Sequence, residues 1–111
     1  MKLSEIKGER ALDVIADIIV PVTNIAMDEE ASDLFKKKRV PKGQNTNTFV
    51  AERIKASVPA LLKKHKADLV TIMSLLNDIS TEEYLENMTV ASFTKDVLDL
   101  ITDEAFTELF T

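Results

Sequence analysis

The chain has 111 residues, no cysteine and a formal net charge of −5. The length is that of one domain, and the lack of cysteine excludes disulfides and thiolate metal sites. The acidic balance argues against nucleic acid as the main partner, because duplex binding depends on a basic surface. Apolar runs such as 18–22 fall far short of the roughly 20 residues that span a bilayer. Residues 1–8 contain no secretory h-region. We therefore expect no membrane insertion and a cytoplasmic location.

The first helical pattern begins after Gly8, with apolar residues at three- and four-residue spacing. Pro21 falls inside this pattern. A proline removes one backbone hydrogen bond and crowds the preceding turn, so we expect a kinked pair of helical pieces. A second helical segment, 31–38, follows Asp28 as its N-cap. It has acids in its first turn and lysines in its last, as the helix dipole favours.

Residues 40–48 combine Pro, Gly and polar side chains and are predicted to form a loop. Thr46 or Thr48 then caps a helix that carries Pro59 inside its apolar stripe. Glu52, Arg53 and Lys55 are assigned to its polar face. The basic run 63–66 closes this helix, and 67–77 forms the most apolar helix of the chain. The apolar stretch 49–79 is thus the segment around which the rest is expected to pack.

Three short helices are predicted in the remaining third of the chain. Ser80 opens the first with a capping-box pattern, and Thr89 or Ser92 caps the second. Residues 102–104 cap the last. No segment alternates at period two, so the sequence predicts an all-α fold. We expect a compact single-domain bundle of about five to seven short helices over residues 1–111, two of them interrupted by proline.

No reactive constellation stands out among the polar residues. His65 is the single histidine and lies among lysines at a predicted helix end, which favours a solvated position over catalysis. The acidic groups at 28–30 and 82–83 fall at helix starts, where acids are expected, and have no histidine at metal-ligand spacing. Phosphate-binding and hydrolase motifs are absent. We therefore predict no enzymatic activity, no cofactor and no metal.

Two kinds of surface could bind another molecule. The basic runs 36–39 and 63–66 could contact nucleic acid, although a solvated helix end is favoured. The apolar C-terminal end could dock either on the protein's own core or on another chain, and the residues favour neither alternative. The candidate partner-binding residues are Leu34, Phe35, Phe49, Phe106, Leu109 and Phe110.

Three stretches together carry a family resemblance. They are residues 1–22 (MKLSEIKGERALDVIADIIVPV), 58–68 (VPALLKKHKAD) and 98–110 (LDLITDEAFTELF). The chain resembles the small tail assembly chaperones of long-tailed phages and prophages of Gram-positive bacteria. These stretches are patterns of helix and cap, and none is a catalytic signature.

The resemblance implies a definite role. Such proteins coat the tape measure protein, keep it soluble and help the tail tube polymerise around it, with the major tail protein as a possible further partner. They would self-associate, act in the host bacterial cytoplasm and be absent from the mature virion. The alternative is a small helical regulatory or nucleic-acid-binding protein that uses its basic helix ends.

Overall fold

The computed structural model describes residues 2–36, 42–43 and 45–110, without the side chain of Val50. Within these residues the chain forms six α-helices and no strand, which confirms the all-α prediction. The helices are α1 (Gly8–Ala26), α2 (Glu29–Ser32), α3 (Thr46–Asn77), α4 (Thr81–Asn87), α5 (Val90–Thr102) and α6 (Glu104–Thr107). Short 3₁₀ turns cover Leu3–Glu5, Asp33–Phe35 and Glu108–Phe110. The radius of gyration is 13.8 Å, close to the roughly 13 Å of a compact domain of this size.

Several helix starts are the predicted ones. The side chains of Asp28, Ser80 and Thr89 each accept a hydrogen bond from the first turn of α2, α4 and α5. Asp103 caps α6 within the predicted 102–104. The start of α3 is a correction, because Asn45 caps it ahead of Thr46 and Thr48. Residues 40, 41 and 44 of the predicted loop 40–48 lie outside the described residues, as do residues 37 and 38 of the predicted second helix. Residues 46–48 of that loop are instead the first residues of α3.

Pro21 and Pro59 both lie inside helices, yet neither divides its helix in two. α1 runs through Pro21 as one helix of 19 residues, and Pro21 is buried on its inner face. In α3 the departure from helical dihedrals falls at His65, with φ −129° and ψ 27°, rather than at Pro59. α3 therefore consists of two helical pieces joined at a kink at His65, which confirms the two helices predicted on either side of 63–66.

The side chain of His65 is mostly buried, which corrects the expected solvated position. Only 12% of the side chain is exposed, and its Nε2 lies 3.0 Å from Oδ2 of Asp28. Its Nδ1 lies 3.3 Å from Oδ2 of Asp68, which also accepts a hydrogen bond from Asn24. The ring nitrogens can donate to both carboxylates at once only in the imidazolium form. This network joins α1, the start of α2 and α3 at the bend.

Arg53 also departs from its predicted place on the polar face. Its Nη2 lies 2.6, 2.8 and 2.7 Å from the carbonyl oxygens of Asp33, Leu34 and Lys36. These carbonyls belong to the end of a 3₁₀ turn, where backbone acceptors lack helical partners. The guanidinium lies 5.8 Å from the centre of the Phe49 ring. Arg53 thus closes the turn that follows α2.

We expect Arg53→Met to lower the free energy of unfolding by about 2 kcal/mol, because hydrogen bonds to a charged group each contribute about 1.5–3 kcal/mol. Methionine keeps the length of the side chain and removes its donors. Urea denaturation measures the change. The matched control is Lys55→Met, an exposed position on the same helix, for which we expect a change within about 0.5 kcal/mol. Equal losses in both variants would contradict the capping role.

The His65 network predicts a dependence of stability on acid. The hydrogen bond from His65, followed by that from the Ala31 amide, holds the pKa of Asp28 below its ordinary value of 3.8. A carboxyl with a lower pKa in the folded state stabilises the fold above its unfolded pKa. That contribution is lost as the pH falls through the folded pKa. The asparagine variant cannot titrate at this position.

The melting temperature of the wild type should therefore fall more steeply below about pH 4 than that of Asp28→Asn. Thermal unfolding followed by circular dichroism from pH 7 to pH 2 measures this. Asp13→Asn makes the same charge change at an exposed position of α1 and should keep the steep wild-type profile. Parallel profiles for all three proteins would refute the role of Asp28.

Candidate functional site

The structure places most of the predicted partner-binding residues in the protein's own core. The buried ones are Leu34, Phe35, Phe106 and Phe110. The ring of Phe35 lies 5.2 Å from that of Phe106 and 5.1 Å from that of Phe110, between centroids. Of the two alternatives for the C-terminal end, the structure has it docked on the core. These four side chains therefore offer no surface to a partner in this conformation.

The other two predicted residues keep part of their surface exposed. Phe49 is half-buried beside the guanidinium of Arg53, and Leu109 is 42% exposed. The C-terminal end is held by Asp103, whose Oδ1 accepts from the amide of Ala105 and whose Oδ2 accepts from the amide of Ser4. The six residues therefore do not form one surface.

An open apolar groove lies instead between α3 and the α4–α5 pair. Its main part has a volume of about 420 Å³. One wall is a ridge of α3 residues spaced by four, Ile54, Val58, Leu62, Lys66 and Val70. The opposite wall consists of Leu85, Met88, Val90, Phe93 and Val97. We call this feature the α3–α5 groove.

The groove continues along α3 beyond its main part. Leu62, Met88 and Phe93 also line a neighbouring pocket of about 140 Å³. That pocket shares Lys66 and other residues with a third of about 430 Å³. From residue 54 to the kink at His65 the ridge is about 16 Å long, at about 1.5 Å per residue, and it changes direction there. A helix of about three turns therefore fits the straight part of the ridge.

Local hydrogen bonds position α4 and α5, which form the wall opposite α3. Thr89 and Ser92 form a capping box that starts α5 directly after α4. The hydroxyl of Tyr84 on α4 donates to Oδ2 of Asp96 on α5 at 2.7 Å. Burial, with the hydrogen bond to Asp96 as the second cause, raises the pKa of Tyr84 well above its ordinary value. Tyr84 thus stays a neutral donor and ties the two short helices together.

The lining of the groove suits apolar side chains and carries no reactive group. Val90 is 86% exposed at its rim, and Leu85 is half exposed. The charged residue among the lining side chains is Lys66, and the other polar ones are threonines. Exposed apolar patches of this kind mark binding surfaces, and an open groove along a helix is a receptor for an amphipathic helix.

The largest cleft is polar and lies elsewhere. It has a volume of about 610 Å³ and is lined by residues that include Arg10, Asp13, Asp17, Asp78 and Glu83. Within the described part of the chain, no three His, Asp or Glu side chains come together as a metal site would require. Arg10 donates to the carbonyl of Leu75 at 3.0 Å and so closes the end of α3. Arg10, which lines this cleft, therefore has a structural role.

The basic runs make no joint surface among the described residues. Residues 37–39 lie outside them. Lys64 lies 3.9 Å from carboxylate oxygens of both Asp28 and Glu30, so its charge already faces acids. Lys66 is part of the groove.

Comparison with known proteins does not help to identify the site. None of the described helices combines the length and the apolar character needed to cross a bilayer. The chain matches no protein-family model, no curated protein and no solved structure. The α3–α5 groove therefore stands on its geometry. The four-residue spacing of its ridge was visible in the sequence, but the sequence did not show that the described residues leave much of this ridge open.

Removing the Tyr84 hydroxyl tests the tie between α4 and α5. We expect Tyr84→Phe to lower the free energy of unfolding by about 1 kcal/mol, the usual net contribution of one hydrogen bond. Urea denaturation measures the loss. In the background of Asp96→Ala the same substitution should have a smaller effect, because its acceptor is already gone. An undiminished effect in that background would show that the hydroxyl acts elsewhere.

Proposed function

We propose that this protein is a phage tail assembly chaperone that holds an amphipathic helix of a tape measure protein in the α3–α5 groove. The observation that carries the proposal is the groove itself, which is apolar, open and bordered by about three turns of α3 before the kink. The resemblance of residues 1–22, 58–68 and 98–110 to that family supports the same role. The protein would act by contact alone, without chemistry.

The task of covering a tape measure protein requires a groove of this kind. Before the tube forms, a tape measure protein is a long helical chain whose apolar stripe has no partner. Covering that stripe requires a small helical protein with an apolar groove, in many copies. A net charge of −5 opposes aggregation of such a coat. The protein would work in the host cytoplasm, stay out of the mature virion and possess a surface for self-association, with the major tail protein as a further contact.

The groove also specifies the occupant. Its ridge is interrupted by one cation, Lys66, between Leu62 and Val70. The favoured segment therefore has apolar residues at three- and four-residue spacing, with an acidic residue at the edge of its stripe near Lys66. Segments with a lysine or arginine there should bind less tightly, because like charges would meet in a partly dry groove.

The test is co-expression with a cognate tape measure protein. The wild type should raise the soluble fraction of that protein, and Val90→Glu should not, because it places a charge at the rim of the groove. Val90 is 86% exposed, so the variant should fold normally. A wild type that leaves the tape measure protein insoluble would overturn the proposal.

Peptide binding supplies a matched control. Overlapping peptides of about 20 residues from the tape measure protein, labelled for fluorescence polarisation, report binding to the groove directly. Val90→Glu should weaken the best peptide about ten-fold or more, since a charge must otherwise be desolvated. Val20→Glu makes the same substitution on α1, away from the groove, and should leave peptide affinity unchanged. Equal weakening by both variants would exclude the groove as the binding site.

The alternative function, nucleic-acid binding, predicts a different experimental result. A nucleic-acid-binding protein would retain a labelled duplex or single strand in a salt-dependent manner, and would lose it when the lysines at 63, 64 and 66 are replaced by glutamine. That result, with no binding of the peptides, would favour the alternative over the chaperone.

A further inference from the structure

A second apolar surface lies on α1, on the face turned away from the core. Val14, Ile18, Val22 and Ile25 are buried on the inner face. The outer face nevertheless carries large apolar side chains that are half or more exposed: Leu12 (68%), Ile15 (50%), Ile19 (50%), Val20 (65%) and Met27 (81%). We call this face the α1 stripe. A surface helix normally presents polar residues to water, so a stripe of this kind marks an interaction surface.

The polar residues of α1 do not interrupt the stripe. Arg10 and Asn24 lie on the flank that meets α3, where they donate to the carbonyl of Leu75 and to Asp68. Asp13 and Asp17 line the polar cleft on the same flank. Ala16, Thr23 and Ala26 are the small exposed residues between the large ones. The stripe is therefore free of charge along about 22 Å of helix, from Leu12 to Met27.

The spacing of the stripe is symmetric about its middle. Its central positions are 12, 16, 19, 20, 23 and 27, and the steps between them read the same in both directions. A two-fold axis between Ile19 and Val20 would place Leu12 against Met27, Ala16 against Thr23 and Ile19 against Val20 of another copy. Among these central positions large residues thus meet large ones and small residues meet small ones, and Ile15 lies at the margin of the stripe, toward the buried face of α1. A self-complementary patch of this kind is the requirement of a two-fold interface.

The distribution of charge along α1 selects the antiparallel arrangement. The acids Glu9, Asp13 and Asp17 all lie in the first half of the helix, and the second half, 18–26, has no charged residue. Parallel helices would bring these acids beside their own copies. Antiparallel helices place the acidic half of one against the uncharged half of the other and oppose the two helix dipoles.

We propose that two copies of this chain pair through the α1 stripe as an antiparallel, two-fold dimer. The dimer gives the proposed chaperone a surface for self-association that is separate from the α3–α5 groove. The groove of each copy stays open, so a dimer can hold two helical segments. The pairing is measured without any tape measure protein, so either proposal can fail while the other stands.

Sedimentation equilibrium of the purified chain tests the pairing. The wild type should reach twice the monomer mass of 12.4 kDa as concentration rises. Val20→Glu should weaken the dimer about ten-fold or more, because two glutamates would face an apolar interface near the axis. Val90→Glu, the same change in the groove, should dimerise like the wild type. A wild type that stays monomeric, or a dimer equally weakened by both variants, would overturn the proposal.

Cross-linking tests the antiparallel orientation of the two α1 helices. The chain has no native cysteine, so only the introduced thiols can react. Leu12→Cys and Met27→Cys variants, mixed and treated with a short bismaleimide, should yield the cross-linked heterodimer. Neither variant alone should cross-link, because its two thiols would lie about 22 Å apart along the antiparallel pair. Cross-linking of Leu12→Cys to itself would show parallel helices and overturn the proposed arrangement. Circular dichroism verifies that each variant keeps the wild-type helix content.

Discussion

The bend in α3 at His65 is the constraint on which the rest of the structure depends. α3 contacts α1, α2 and α4, so its path sets the position of each. The bend is held by Asp28, which caps α2, and by Asp68, one turn further along α3. Asn24 of α1 joins the same network. Because a residue with non-helical dihedrals is stable only when its surroundings hold it, these polar contacts keep the long helix bent.

Two apolar surfaces remain once the core has formed, and they differ in shape. The α3–α5 groove is concave and suits a helix inserted between two walls. The α1 stripe is convex and suits a helix laid against it. They lie on different elements, so one can bind a partner while the other pairs copies. The net charge of −5 opposes contact between copies, so the proposed pairing would depend on apolar contacts.

Local features of the fold could be predicted, and residues with distant partners could not. The caps at Asp28, Ser80 and Thr89 were readable because donor and acceptor lie within one turn of each other. Arg53 was misassigned to a polar face because its three carbonyl acceptors lie 17 to 20 residues away. The solvated position expected for His65 was wrong for the same reason, since Asp28 is 37 residues distant. Its lysine neighbours suggested a solvated position, whereas in the folded chain His65 contacts the carboxylate of Asp28.

The sequence by itself determined that this chain is helical and where most of its helices begin. These properties depend on periodicity and short-range hydrogen bonds, which are local. Only the tertiary structure decided which apolar residues are covered. The core contains Phe35, Phe106 and Phe110, whereas Val90 and the α1 stripe are exposed. Burial depends on which helices meet, and that follows from contacts between segments far apart in the chain.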